Sequence, residues 1–196
     1  TDTRSMKACT AFLLVGVLLI SAVAATAADA ETTLRQGMEE VFAVTDHSKG
    51  GRKMADDLEP ILVRKICFES MTRRAIGPGW KQFTPAQQAE ATKLFTKLII
   101  RSYSNKFTPG QKTEVKYLKG TSPAAGKMEI PTKMLYKGSS YSIVYRMEDR
   151  GKWLVTDILA EGVSLVANYR AQFDDLYKKG GVSAVLASLK DSVARA

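Results

Sequence analysis

The sequence predicts an α+β domain in which helices pack on one face of a curved, mainly antiparallel, four-stranded sheet. Three observations predict it. Between Leu34 and Phe107 apolar side chains recur at helical spacing. From Thr113 to Ile158 that spacing gives way to alternation of β-forming residues, interrupted by short turns. From Leu165 to Val193 the helical period returns.

Ahead of these elements stands a leader. Arg4 and Lys7 precede an apolar run from Ala11 to Val23, and small residues follow, ending Ala28-Asp29-Ala30. This is the order of a secretory signal peptide, and the run is shorter than the roughly 20 residues that span a bilayer. Cleavage is expected after Ala24, Ala27 or Ala30, each of which closes a small-x-small triplet. Residues 1–30 are therefore assigned to the leader and residues 31–196 to one domain. Cys9 leaves with the leader, so Cys67 stands alone, forms no intramolecular disulfide and is expected as a buried core thiol.

The chain of 196 residues has a net charge of +9. Removing the leader takes away two basic and two acidic residues, so the body keeps that charge. In an exported protein it suits anionic membrane surfaces, anionic head groups or acidic partners. The charges are scattered and no RNA-binding aromatic motif is present, which argues against nucleic acid.

The first helix of the body is expected around Leu34, Met38, Val41 and Phe42, capped by Thr32 or Thr33. A loop follows from His47 to Gly51. His47 is the only histidine, so neither a His-based triad nor a His-rich metal site can be built. Pro60 is expected in the first turn of the next helix. Its apolar face runs through Ile61, Leu62 and Ile66, and the spacing continues through Phe68, Met71, Ala75 and Ile76 to Gly77-Pro78-Gly79. Thr84, Pro85 and Gln87 form a capping box with proline in the first position. They open a helix carrying Leu94, Phe95, Leu98, Ile99 and Tyr103 and ending near Phe107.

Four strands are expected at Thr113–Leu118, Lys127–Tyr136, Ser139–Glu148 and Trp153–Ile158. A tight Lys137-Gly138 turn joins the second and third. Pro131 cannot donate to a ladder, which places its strand at an edge or at a bulge. In the fourth strand Trp153, Val155 and Asp157 alternate with Leu154, Thr156 and Ile158. A polar elbow, Asp157 to Ser164, then leads into a helix with the stripe Leu165, Val166, Tyr169, Phe173, Leu176 and Tyr177. A final helix carries Val182, Val185, Leu186, Leu189 and Val193.

The elbow residues Asp157, Glu161, Gly162 and Ser164 admit two readings. Asp157 or Glu161 accepts hydrogen bonds from backbone N–H groups at the start of the helix, with Gly162 turning the chain. Alternatively Asp157 is a proton-transfer base in an apolar pocket, which would also need an oxyanion partner that the sequence does not show. The structural reading is favoured, and no catalytic residue, metal or cofactor is assigned.

Two blocks, residues 68–95 (FESMTRRAIGPGWKQFTPAQQAEATKLF) and residues 151–181 (GKWLVTDILAEGVSLVANYRAQFDDLYKKGG), resemble the MlaC, or toluene-tolerance, family of periplasmic lipid-transfer proteins. A hopanoid-associated group is related to it. Phe68-Glu69 stands where many members have Phe-Asp, and the GPG turn before Trp80 is a stiffer version of the usual one.

The resemblance implies a cystatin-like or nuclear-transport-factor-like roll enclosing an apolar cavity. It implies phospholipid as cargo, shuttled between inner and outer membranes of a Gram-negative envelope, with a hopanoid or other polycyclic lipid as the alternative. It also implies an inner-membrane MCE-type ABC transporter complex, an outer-membrane lipoprotein complex and transient membrane contact as partners. The tyrosine- and methionine-rich inward positions suit an adaptable pocket. The lining is accordingly expected from Leu94, Leu98, Ile99 and Tyr103 of the capped helix, and from Tyr141, Ile143, Tyr145, Met147, Trp153 and Val155 of the strands. Val166, Tyr169 and Phe173 of the following helix complete it. Arg101, Lys106, Lys152 and Arg170 flank these elements and are expected at the mouth, near a lipid head group.

Overall fold

The computed structural model describes residues 7–196, with side chains described from Ala27 onward. The leader expected over residues 1–30 thus lies mostly outside the described side chains. Among the described residues five helices run α1 Lys7–His47, α2 Gly51–Lys65, α3 Phe68–Ile76, α4 Pro85–Ser104 and α5 Leu165–Arg195, with a 3-10 turn at Gly77–Gln82. Six strands run β1 Thr113–Tyr117, β2 Thr121–Ala124, β3 Lys127–Tyr136, β4 Ser139–Asp149, β5 Trp153–Ala160 and β6 Val163–Ser164. They form one antiparallel sheet in the order β1-β3-β4-β5-β6, with β2 also paired to β3.

The α+β class is as the sequence predicts, with two more strands. Residues 120–123, expected as a turn, contribute to the short β2, and β6 is the return arm of a hairpin at the elbow. Pro131 is in an inner strand, not at an edge, because β1 and β2 share β3 as a neighbour. β1 ends opposite Thr132 and β2 begins opposite Glu129. Pro131 falls in the gap, where its carbonyl accepts from Leu118 N–H and its missing N–H interrupts no ladder.

Several helix boundaries differ from those the local residue signals predict. Thr32 and Thr33 lie inside α1 and cap nothing. Pro60 is internal to α2, which starts at Gly51. His47 belongs to the last turn of α1, exposed and bonded to the Ala43 carbonyl. α4 stops at Ser104, short of Phe107, but its start is as predicted: Thr84 Oγ1 accepts from Gln87 N–H while the Gln87 side chain accepts from Thr84 N–H. α5 is kinked at Gly180–Gly181, the point where two helices were expected to meet.

β3 and β4 set the two faces of the sheet. Met128, Ile130, Tyr145 and Met147 are buried beneath the helices, while Glu129 and Arg146 alternate with them on the other side. β5 does not keep its alternation. Arg146 pairs with Asp157 and Met147 with Val155, so Thr156 is the extra residue of a β-bulge. Trp153 and Val155 face the helices before the bulge and Ile158 after it. Asp157 is thrown to the opposite face, contrary to its expected place beside Trp153 and Val155.

Two apolar clusters result. One joins α2 to α5 around Phe95, Met71, Ile76 and Phe173. The other joins α1 to the sheet through Ala30, Leu34, Met128, Tyr145, Trp153 and Val155. Cys67 is only partly buried, in the link between α2 and α3, where its N–H bonds the Val155 carbonyl.

Candidate functional site

Between these clusters lies a cavity of about 370 Å³ whose wall is overwhelmingly apolar. The sheet supplies its floor through Met134, Ile143, Tyr145, Met147, Val155 and Ile158. α1 supplies one wall with Leu34, Met38, Val41 and Phe42. α2 adds Leu58 and Leu62, and α4 adds Ile99, Ile100 and Tyr103. Lining residues that also reach solvent mark the mouth: Tyr103 is 45% exposed and Val163 63%.

The chamber is enclosed by α1, α2, α4 and the sheet. Ala30 and Leu34 pack directly on the sheet. One turn later Gly37 offers no side chain, and Met38, Val41 and Phe42 line the chamber. Polar groups on the wall are few. The Tyr145 hydroxyl has the Met38 sulfur as its neighbour at 3.7 Å, and burial pushes the phenol well above its usual range. Among the described residues Lys65 is the one cationic side chain on the wall, and it pairs with Glu40 at 2.7 Å.

The sequence-predicted lining divides. Ile99, Tyr103, Ile143, Tyr145, Met147 and Val155 stand on the wall. Leu94, Leu98, Tyr169 and Phe173 belong instead to the filled helical cluster, where Phe95 meets Tyr169 and Phe173 edge-on at 5.1 and 6.0 Å. Val166 packs in that cluster too. Trp153 is buried between α1 and the sheet, off the wall. Tyr141 is exposed near the start of β4. The wall residues of α1 and α2 were not assigned to a site, although the helical spacing of Leu34, Met38, Val41 and Phe42 was visible.

None of the four expected mouth cations lines the chamber. Arg101 donates to the Val193 carbonyl and ties α4 to the end of α5. Arg170 lies toward the outer face of the sheet, bonded to Asp174 and to the Arg74 carbonyl. Lys152 is exposed in the β4–β5 turn, and Lys106 is exposed beside Phe107.

The elbow is structural in its details. Oδ1 of Asp157 accepts from Ile158 N–H at 2.9 Å and from Val166 N–H at 3.1 Å, inside the first turn of α5. Its Oδ2 accepts from Ser164 Oγ at 2.6 Å and from Arg146 Nη1 at 3.3 Å. Ser164 caps α5 by accepting from Ala167 N–H. Four donors occupy the carboxylate, which faces away from the chamber and so is not placed as a base within it. Glu161 does not bond the helix. It accepts from Ser142 N–H, and with Gly162 it forms the two-residue turn of the β5–β6 hairpin, both at positive φ. Among the described residues no group of three or more His, Cys, Asp or Glu side chains could hold a metal ion, and no helix is long and apolar enough to cross a membrane.

Fold and chamber define a class: a small α+β protein built around a greasy cavity that opens at one end. The chain belongs to the MlaC family, whose model, described as MlaC protein, matches residues 35–191. Among solved structures it is similar to the phospholipid-binding protein from Ralstonia solanacearum in complex with a phospholipid. That likeness has a TM-score of 0.79 at 26% sequence identity, covering 85% of this chain and 98% of that one. No curated protein sequence matches the chain.

Proposed function

We propose that this protein is a periplasmic carrier that takes the acyl part of a phospholipid into the chamber and shuttles it between inner and outer membranes. The observation that carries the reading is the chamber itself. Its volume of about 370 Å³ falls in the range of small-molecule sites, roughly 300–1,000 Å³. It also exceeds twice the ~150 Å³ of an apolar cavity that binds benzene. Family membership and the phospholipid held by the Ralstonia protein support the same ligand class. The occupied Asp157 supports a carrier over an enzyme.

Each buried methylene is worth ~0.8 kcal/mol against water, and the bilayer offers the acyl chain a similar environment. Transfer between membrane and protein is then nearly balanced, so the carrier needs no energy source of its own. Direction would come from its partners, an inner-membrane MCE-type ABC transporter complex and an outer-membrane lipoprotein complex. The cavity also bears on processing. Ala27 and Ala30 pack in the cluster between α1 and the sheet, so cleavage after Ala24 would preserve that contact, whereas cleavage after Ala30 would remove both.

Native mass spectrometry of protein purified from its own host tests the reading. A ligand with the mass of a glycerophospholipid is the expected result. A triterpenoid mass would replace the cargo with a polycyclic lipid, and a ligand-free spectrum would overturn the proposal.

A further inference from the structure

The outer side of β4 and β5 carries an open surface cleft between the sheet and the loop joining α3 to α4. Five cationic side chains line it, Arg73, Arg74, Lys81, Arg146 and Arg170, against one carboxylate, Asp157. That carboxylate is already saturated by the elbow. Partners outside the cleft take up only part of the positive charge. Glu129 pairs with Arg146 at 2.7 Å, Asp174 with Arg170 at 3.2 Å, and Glu148 approaches Arg74 only to 3.9 Å. Arg73 and Lys81 form no ion pair among the described residues.

Backbone groups hold two of these guanidinium groups in place. Arg74 donates to the carbonyl of the bulged Thr156, and its buried Nε has no hydrogen-bond partner among the described residues. Arg170 donates to the Arg74 carbonyl and lies directly against Gly77, where a β-carbon would overlap its guanidinium. Fixing arginines through carbonyls orients them without cancelling their charge. The start of α5 opens on the same space through Val166 and Ala167, adding the positive end of a helix dipole.

We propose that this cleft binds a phosphate group. Planar guanidinium forks match the tetrahedral oxygens of phosphate in a way that scattered surface lysines do not. Two sources present that chemistry: soluble phosphate esters and the phosphodiester of a lipid at a membrane surface. The cleft lies across the sheet from the apolar chamber, with Ser164 the only side chain lining both, and it does not depend on what the chamber holds.

Trp80 lines the cleft whereas Trp153, the only other tryptophan, is buried under α1, so fluorescence reports on the site. Glycerol 3-phosphate titrated into the full protein should change Trp80 emission saturably. Arg73→Gln combined with Lys81→Gln removes two exposed side chains that hold no part of the fold. The pair should weaken binding about a hundredfold, the effect of losing two charge-assisted hydrogen bonds. In a parallel arm, vesicles of phosphatidylglycerol and of phosphatidylcholine are sedimented with protein. Binding to the former that the double variant loses, and that glycerol 3-phosphate competes away, assigns the phosphate to a membrane lipid. Saturable binding of glycerol 3-phosphate without vesicle binding assigns it to a soluble ester. If neither probe distinguishes wild type from variant, or if only an acidic peptide does, the proposal fails. Native mass spectrometry of the chamber's ligand is unaffected by any of these results, so the two readings fail separately.

Discussion

Two regions of this molecule are built from the same apolar residue types, yet one is filled and the other hollow. In the helical cluster, Ala75 and Ala91 are fully buried and let α3, α4 and α5 approach closely. The rings of Phe95, Tyr169 and Phe173 then interlock at centroid distances of 5.1 to 6.0 Å. Around the chamber, α1 is anchored to the sheet by Ala30 and Leu34, and Met38, Val41 and Phe42 beyond them line the cavity. Apolar side chains line both regions, and packing separates the filled one from the hollow one.

Substitutions in the two regions should therefore differ in sign and size. Phe95 is 0% exposed, so Phe95→Ala opens a hole in a closed core and should cost about 3–5 kcal/mol in denaturant unfolding. A loss below about 1 kcal/mol would show that the helical cluster is not filled. The next largest effect is at the elbow that leads into α5. Asp157→Asn keeps the shape but removes the charge that four donors address, leaving Arg146 with Glu129 alone. A loss of roughly 1–3 kcal/mol is expected, with the lipid still co-purifying. Unchanged stability with loss of an enzymatic turnover would restore Asp157 as a catalytic base.

Ile143→Trp probes the hollow side. Ile143 is on the chamber wall and only partly buried, so a larger ring grows into empty space. Stability should move by less than about 1 kcal/mol, while lipid occupancy in native mass spectra falls sharply. Full occupancy in this variant would place the ligand elsewhere.

The contrast also explains what the sequence could and could not reveal. Thr84 and Gln87 were legible as a capping box because both bonds are local. The four long strands were legible from alternation, and α5 from its stripe. The chamber was not, since Phe173 and Tyr169 carry the same periodic signal as Met38 and Phe42 and only packing separates them. The bulge at Thr156 has no local signature either, and it alone moves Asp157 away from Val155. Pro131 misled for a related reason, because a gap between β1 and β2 accommodates a proline that would otherwise belong at an edge.

The smallest expected effect sits beside the chamber, at the carboxylate that pairs with Lys65. The hydrogen bond from Lys65, with further help from Arg64, holds the Glu40 carboxyl below its usual range. A carboxyl whose pKa is depressed by folding stabilises the folded state fully above its unfolded value and loses that contribution as pH falls through the folded value. The loss should therefore begin as pH falls into the ordinary carboxylate range and grow below it. Glu40 is 38% exposed, so solvent screening limits the effect to about 0.2–1 kcal/mol. Urea midpoints measured between pH 6 and pH 3 should fall slightly less steeply for Glu40→Gln than for the natural sequence. Parallel curves would mean that the Lys65 ammonium on the wall is held by the chamber's own packing and not by its carboxylate.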